Sequence, residues 1–341
     1  MKKNSIILLL VLSVLAGCGH KGQLPRGIAN DEQKAHFDQV FDEINGLSVC
    51  DLHSLMVVQD GKVIYEKYGI GHDADELHIC WSATKTFTAL AVGFAVQDGL
   101  IDLDRPIVQY FTPAELPDSI SEQLGMLTMR HLLTMTSGWE PDNITDQIRG
   151  KEDFDAVKMI LAHGFFFTPG THWRYNNADT FIAGVIVNKV TGMAMEDYLN
   201  EKLFQPLGIK DYYYEKDSHG YNTAAWGLYL TTESLAKAGL FMLQRGEWEG
   251  KQLLNASWFD QAMSVQVMQY YSVNGVTGDW SSGYGYQMWA CKKGNAFRMD
   301  GMWGQYVIVM PTKNAVAVMT SMVNDRENQM DIFWKNVYEQ L

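Results

Sequence analysis

The chain has 341 residues, 47% of them hydrophobic, enough to bury a substantial core in one large domain or in two lobes that share a cleft. Its formal net charge is -13, and adjacent basic residues occur only at Lys2-Lys3 and Lys292-Lys293. That balance excludes nucleic acid as a partner, and it gives an acidic surface that promotes solubility.

The first residues, MKKNSIILLLVLSVLAGCG, place two lysines ahead of an apolar stretch from Ile6 to Leu15 and small residues before Cys18. The stretch is too short to span a bilayer as a permanent helix, so it predicts a secretion signal over residues 1–17. The letters Leu15-Ala16-Gly17-Cys18 resemble the lipobox of bacterial lipoproteins. The resemblance implies lipidation of Cys18, a tether over 18–30 and export to the cell envelope, with the membrane met only through that lipid. An ordinary signal peptide cut nearby is the alternative. Cys50, Cys80 and Cys291 form an odd set without C-x-x-C spacing, so neither a disulfide framework nor a zinc site is indicated. Whether two of them pair is open.

Phe37, Val40, Phe41 and Ile44 fall at helical spacing before Gly46 and predict an amphipathic helix. LMVVQDGKVIYEKYG then sets two β-rich runs around Asp60-Gly61, a tight-hairpin signal that starts an antiparallel sheet. From Ser82 to Gln97 the chain reads as a helix stopped by Gly99, so WSATK lies at a strand-to-helix junction. Helical segments and turn signals continue to about Gly275. Strand character returns in GYGYQMWACKKGNAFRMDG, GQYVIVM and AVAVMTS, and a last helix carries Phe333, Val337 and Leu341. These elements predict an α+β fold: an antiparallel sheet built from both chain ends, flanked by helices, with an inserted helical lobe. The domain would run over 31–341, with a sheet lobe at 31–81 and 276–341 and a helical lobe at 82–275.

Two short motifs carry chemistry. Ser82 and Lys85 are three apart at a helix start and so share one face. A serine hydroxyl becomes nucleophilic once a base takes its proton, and a lysine is such a base only if burial and nearby cations lower its pKa. In isolation the pair is equally a helix start that contains a lysine. The second motif is RYNNAD, residues 174–179, on a loop entering a helix. Tyr175 could exchange the proton with Lys85, and Asn177 could hold Lys85 and a substrate carbonyl. Alone, it is equally a turn whose tyrosine packs and whose asparagine caps the helix.

Together the segments resemble the serine hydrolases related to class C β-lactamases and penicillin-binding DD-peptidases, over about residues 31–341. WSATKTFTALAVGFAVQDGLIDLDRPI, LTMRHLLTMTSGW, PGTHWRYNNADTFIAGVIVNKVTG, AAWGLYLTTESLAKAGLFML and DGMWGQYVIVMP occur in the family's order. The resemblance implies the β-lactamase/transpeptidase-like fold and an acyl-enzyme mechanism without metal or cofactor. It further implies Ser82 as nucleophile, Lys85 and Tyr175 as general base and acid, and Asn177 as a positioner of substrate. The backbone N–H groups of Ser82 and Met302 would form the oxyanion hole, with Gly301 and Trp303 beside them.

The likeness breaks at Met299-Asp300-Gly301, where family members acting on β-lactams or peptidoglycan usually carry Lys-Thr-Gly or His, a small residue and Gly. The glycine is kept, the cation is missing, and Asp300 stands where a hydroxyl usually meets the substrate carboxylate. A bare Asp300 would disfavour anionic substrates by on the order of 1 to 4 kcal/mol, leaving neutral or amine-bearing esters, amides or peptides. The alternative is that Asp300 turns away to pair with Arg130 or another cation. Trp81, Trp139, Trp173, Trp226 and above all Trp303 are candidates for an aromatic pocket, or for ordinary packing. Nine histidines suggest a different triad, but no G-x-S-x-G or H-E-x-x-H is present, and His131 reads as a helix-face or core residue. The rival class is a catalytically silent receptor for a cell-wall fragment or protein partner.

Overall fold

A computed structural model of the chain describes residues 22–140, 144–150, 154–269 and 278–341. Cys18 and the predicted signal lie outside them. Helix α1 (Asp31–Asn45) begins at a capping box made by Asn30 and Gln33 and buries Phe37, Val40, Phe41 and Ile44. Strands β1 (Cys50–Gln59) and β2 (Lys62–Tyr68) follow as a hairpin. Its two turn residues, Asp60 and Gly61, have φ of 50° and 73°, the positive pair that matches the right-handed twist of a two-residue turn.

Short strands β3 (His78–Ile79), β4 (Tyr212–Tyr214) and β5 (Leu228–Leu230) form a three-stranded sheet of their own, and β6 (Glu247–Trp248) pairs with β7 (Lys251–Gln252). The chain end adds β8 (Trp289–Ala290), β9 (Phe297–Gly301), β10 (Gln305–Met310) and β11 (Ala315–Val323). The main sheet has six strands in the order β2-β1-β11-β10-β9-β8, antiparallel throughout. Both chain ends therefore meet at the β1–β11 pair.

Both faces of this sheet are covered, which is why its central strands read as nearly continuous apolar runs. Alternate residues go to opposite sides. Tyr306, Ile308, Ala317 and Met319 join α1 and the terminal helix Arg326–Asn336 in one core. Val307, Val309, Val316 and Val318 face the larger core, which includes helix α2 (Thr84–Gln97) and the helix Asn177–Thr191.

Two stretches sit differently from the sequence reading. The helix Thr232–Leu243, assigned by sequence to the helical lobe, lies across the main sheet. Its Gly239 is so close that an added Cβ would come within 2.6 Å of Val316 and 2.7 Å of Val307. The tether is also docked over its second half. Leu24 is buried, Gly27 N donates to Val63 O at 2.8 Å, and Arg26 pairs with Glu233 at 2.7 Å and Glu66 at 3.1 Å.

The contact at Gly239 gives a direct test of the layer packing. Gly239→Ala should destabilise the protein by about 1 to 3 kcal/mol through overpacking, read as a lowered thermal midpoint, although alanine is the better helix former.

Candidate active site

The segment carrying Ser82 leaves β3, which pairs with β5, and passes through Cys80, whose N–H donates to Leu228 O at 2.8 Å. Trp81 follows with φ of 46°, uncommon for a bulky residue. The helix predicted from Ser82 starts two residues later. Trp81–Ala83 forms a tighter 3₁₀ turn, and α2 begins at Thr84. The pair still shares a face, because a 3₁₀ turn brings positions three apart almost into line.

Lys85 Nζ lies 3.0 Å from Ser82 Oγ, 2.7 Å from Asn177 Oδ1 and 2.8 Å from the Ala225 carbonyl. A neutral amine has two N–H groups and one lone pair. Asn177 and Ala225 offer acceptors for both N–H groups, which leaves the lone pair for the Ser82 hydroxyl. Burial lowers the Lys85 pKa to about 7, against the opposing attraction of Asp179 and Asp300. Desolvation is the larger effect, so a substantial fraction of the amine is free base at neutral pH.

Asn177 Nδ2 donates to Thr145 Oγ1 at 2.9 Å, so both ends of its amide are already engaged. That geometry orients Lys85. Tyr175 enters from the same loop, just before Asn176, whose side chain caps the helix by accepting from Ala178 N. The Tyr175 ring stacks on Trp289 with centroids 5.9 Å apart, and Lys85 Nζ sits 4.9 Å from its own centroid. Burial pushes the phenol above its ordinary value, while a hydrogen bond with Ser82 pulls the other way. The phenol thus stays protonated at neutral pH, and of the two groups Lys85 is the available base. Asp179, two residues beyond Asn177, is fully enclosed, and burial holds its carboxyl well above the usual carboxylate range.

The opposite wall is the end of β9. An added Cβ at Gly301 would lie 2.3 Å from the Cys80 carbonyl, so only glycine lets this strand lie against the nucleophile segment. Met302 opens the turn Met302–Gly304 and lines a cavity with Ser82 and Tyr175. The cavity holds about 530 Å³ and is also lined by Trp280, Trp289, Asp300, Asn324, Asp325, Arg326 and Glu327.

The chain belongs to the Beta-lactamase family. The family's sequence pattern matches residues 37–336. The 6-aminohexanoate-dimer hydrolase of Paenarthrobacter ureafaciens is 22% identical over 300 residues, 81% of this chain and 74% of that protein. The β-lactamase of Escherichia coli is 26% identical over 181 residues, 51% of this chain and only 46% of its own length. Among solved structures, a family VIII carboxylesterase superposes with a TM-score of 0.72 at 18% identity, covering 93% of this chain and 99% of the other. Membership places the chain among serine hydrolases, and the antiparallel sheet with flanking helices is the fold of the family.

Within this Beta-lactamase family member, Asp300 differs from the bare carboxylate expected from sequence. Its Oδ2 accepts from Trp280 Nε1 at 2.8 Å and from Arg298 Nε at 3.0 Å, and its Oδ1 pairs with Arg326 at 3.2 Å. Arg130, the partner suggested by sequence, instead holds Asp104 at 2.7 Å and donates to Tyr286. Charge repulsion of anions by Asp300 is therefore largely offset by two guanidinium groups. Arg298 was legible in principle, two residues away on the same strand face. Trp280 and Arg326 come from distant segments.

Of the five tryptophans proposed for a pocket, Trp139, Trp173 and Trp226 are buried in the core, and Trp81 has the Arg149 guanidinium 5.2 Å above its ring. Trp303 is 38% exposed with φ of 63°. The aromatic walls are Trp280 and Trp289. The three cysteines at 50, 80 and 291 are free, and His131 Nδ1 accepts from Thr128 N at 3.2 Å in a helix-capping role.

If the free amine of Lys85 is the base, acylation should rise with pH through a midpoint near 7 and fade below it as the ammonium forms. Lys85→Arg, permanently charged, should abolish that rise and lower the rate by about 10²- to 10⁴-fold. Stopped-flow acylation from pH 5 to 9 reads both.

Proposed function

We propose that the chain cleaves an ester or amide bond through an acyl-enzyme on Ser82. The observation that carries this reading is the Lys85 amine, 3.0 Å from the hydroxyl, with acceptors for its two N–H groups elsewhere. Lys85 takes the Ser82 proton as the oxygen attacks the carbonyl. The protonated Tyr175 phenol, hydrogen-bonded to Ser82, passes a proton to the leaving group. The backbone N–H groups of Ser82 and Met302 bind the developing oxyanion, which supplies about 3 to 4 kcal/mol per donor. Water then releases the acyl group by the reverse sequence. A silent receptor would have no use for a desolvated amine aimed at a hydroxyl.

Neutral or amine-bearing substrates fit the cavity best. Its volume suits a small organic molecule, and Tyr175, Trp280 and Trp289 give it apolar walls. At the mouth, Asp325 and Glu327 outnumber Arg326, so a cationic amine is favoured there. The names of the similar hydrolase and carboxylesterase accord with amide and ester cleavage. A β-lactamase or DD-peptidase reading gains one support, the Arg326 guanidinium beside the cavity, as a cation for a substrate carboxylate.

Incubation with a fluorophosphonate should add one adduct mass to wild type and none to Ser82→Ala. Short-chain aryl esters, with and without an amine, should turn over at least about tenfold faster than nitrocefin; the reverse order would install the β-lactam reading. We further propose that the chain is exported and anchored through Cys18. Among the described residues no helix is long and apolar enough to cross a membrane. Metabolic labelling with palmitate should mark wild type and spare Cys18→Ser.

A further inference from the structure

A second cluster of ionisable groups lies outside the cavity, where the start of β1, the turn after β2 and strand β3 converge. A bulge in β1 leaves His53 without a partner on β11, between Leu52 and Ser54, and such bulges re-aim the side chain they carry. The His53 ring stacks on His72 with centroids 3.9 Å apart and planes 16° from parallel. His72 Nδ1 lies 2.7 Å from Glu76 Oε2, to which it donates, and Nε2 faces Asp51 Oδ2 at 3.8 Å. Ligand atoms of Asp51, His53 and His72 all fall within 4.8 Å of one another. Behind them His78, 6% exposed, turns an Nε2 without a hydrogen bond toward Glu76, 3.7 Å away.

We propose that Asp51, His53 and His72 bind one divalent zinc-type ion, with Glu76 orienting His72 from behind. A carboxylate that fixes the tautomer of a ligating histidine is the usual support of such sites. Two imidazoles and a carboxylate suit zinc, whereas magnesium and calcium prefer oxygen ligands throughout. Tetrahedral bonds of about 2 Å set ligand atoms roughly 3.3 Å apart. Binding therefore draws exposed Asp51 inward and tilts the two stacked rings until one nitrogen of each meets the ion. The ion would tie the turn at 69–77 to β1. That turn also carries the bonds Gly69 N to His53 O at 2.7 Å and His72 N to Gly69 O at 3.1 Å.

The ligands come from two segments, Asp51 and His53 from β1 and His72 from the turn after β2, and a D-x-H pair with a distant histidine is no recognised metal motif. The test is calorimetric titration of Zn²⁺ into the untagged, chelator-stripped chain, paired with thermal denaturation. Wild type should bind one equivalent at this site, and its midpoint should rise by about 4 °C at one hundred times Kd. His72→Asn should weaken binding at least tenfold, and Glu76→Gln should weaken it by about 10- to 100-fold. Asp51 is more than half exposed, so Asp51→Asn leaves the fold intact and should also lose at least tenfold if His72→Asn proves unstable. No saturable binding by wild type, or wild-type affinity in Asp51→Asn, would overturn the proposal.

Discussion

A buried amine governs the arrangement of this protein. Lys85 is held in a pocket whose acceptors are a side-chain amide and a backbone carbonyl, and both are fixed by structure distant in sequence. Asn177 depends on the loop before the helix Asn177–Thr191, and its other end rests on Thr145. The Ala225 carbonyl depends on the stretch leading into β5, where Ala224 takes φ of 57° and gives its own carbonyl to Thr88 at 2.8 Å. Three segments thus converge on one nitrogen. In water the same amine would be fully charged at neutral pH and could not take a proton.

The other half of the site is electrostatic closure around Asp300. A carboxylate enclosed at the end of a sheet is costly unless paired. Here Arg298, itself fully buried, and Arg326 at the cavity rim provide that pairing, and Trp280 adds a neutral donor. Trp280 also stands within 4.9 Å of Arg298 and 5.2 Å of Arg326, ring centroid to guanidinium. The wall that faces the substrate is consequently one cross-linked unit joining β9, the segment before β8 and the terminal helix.

Most of the scaffold could be read from letters. Asp60-Gly61 announced a turn requiring positive φ, and the apolar runs of β10 and β11 announced strands covered on both faces. Ser82, Lys85, Tyr175 and Asn177 could be singled out because their spacing and flanking turns are local. What stayed hidden depended on tertiary proximity. Nothing in the letters around Ala225 distinguishes its carbonyl, and Trp280 and Trp289 look no different from the core residues Trp139 and Trp226. Asp300 misled for the same reason. Its sequence neighbours suggest a missing cation, whereas its spatial neighbours supply two. The histidines near β1 are spaced irregularly along the chain and meet only when the hairpin and β3 are in place.

The pairing of β1 with β11 joins residues more than 250 positions apart. A chain emerging from its N-terminus carries the hydroxyl and amine of residues 82 and 85 long before β9, β10 and β11 exist to shelter them. Until those last strands dock, the wall bearing Asp300, Gly301 and Met302 is absent from the site. The substrate cavity is in this way the last part of the molecule to be completed: its far wall arrives only with closure of the sheet.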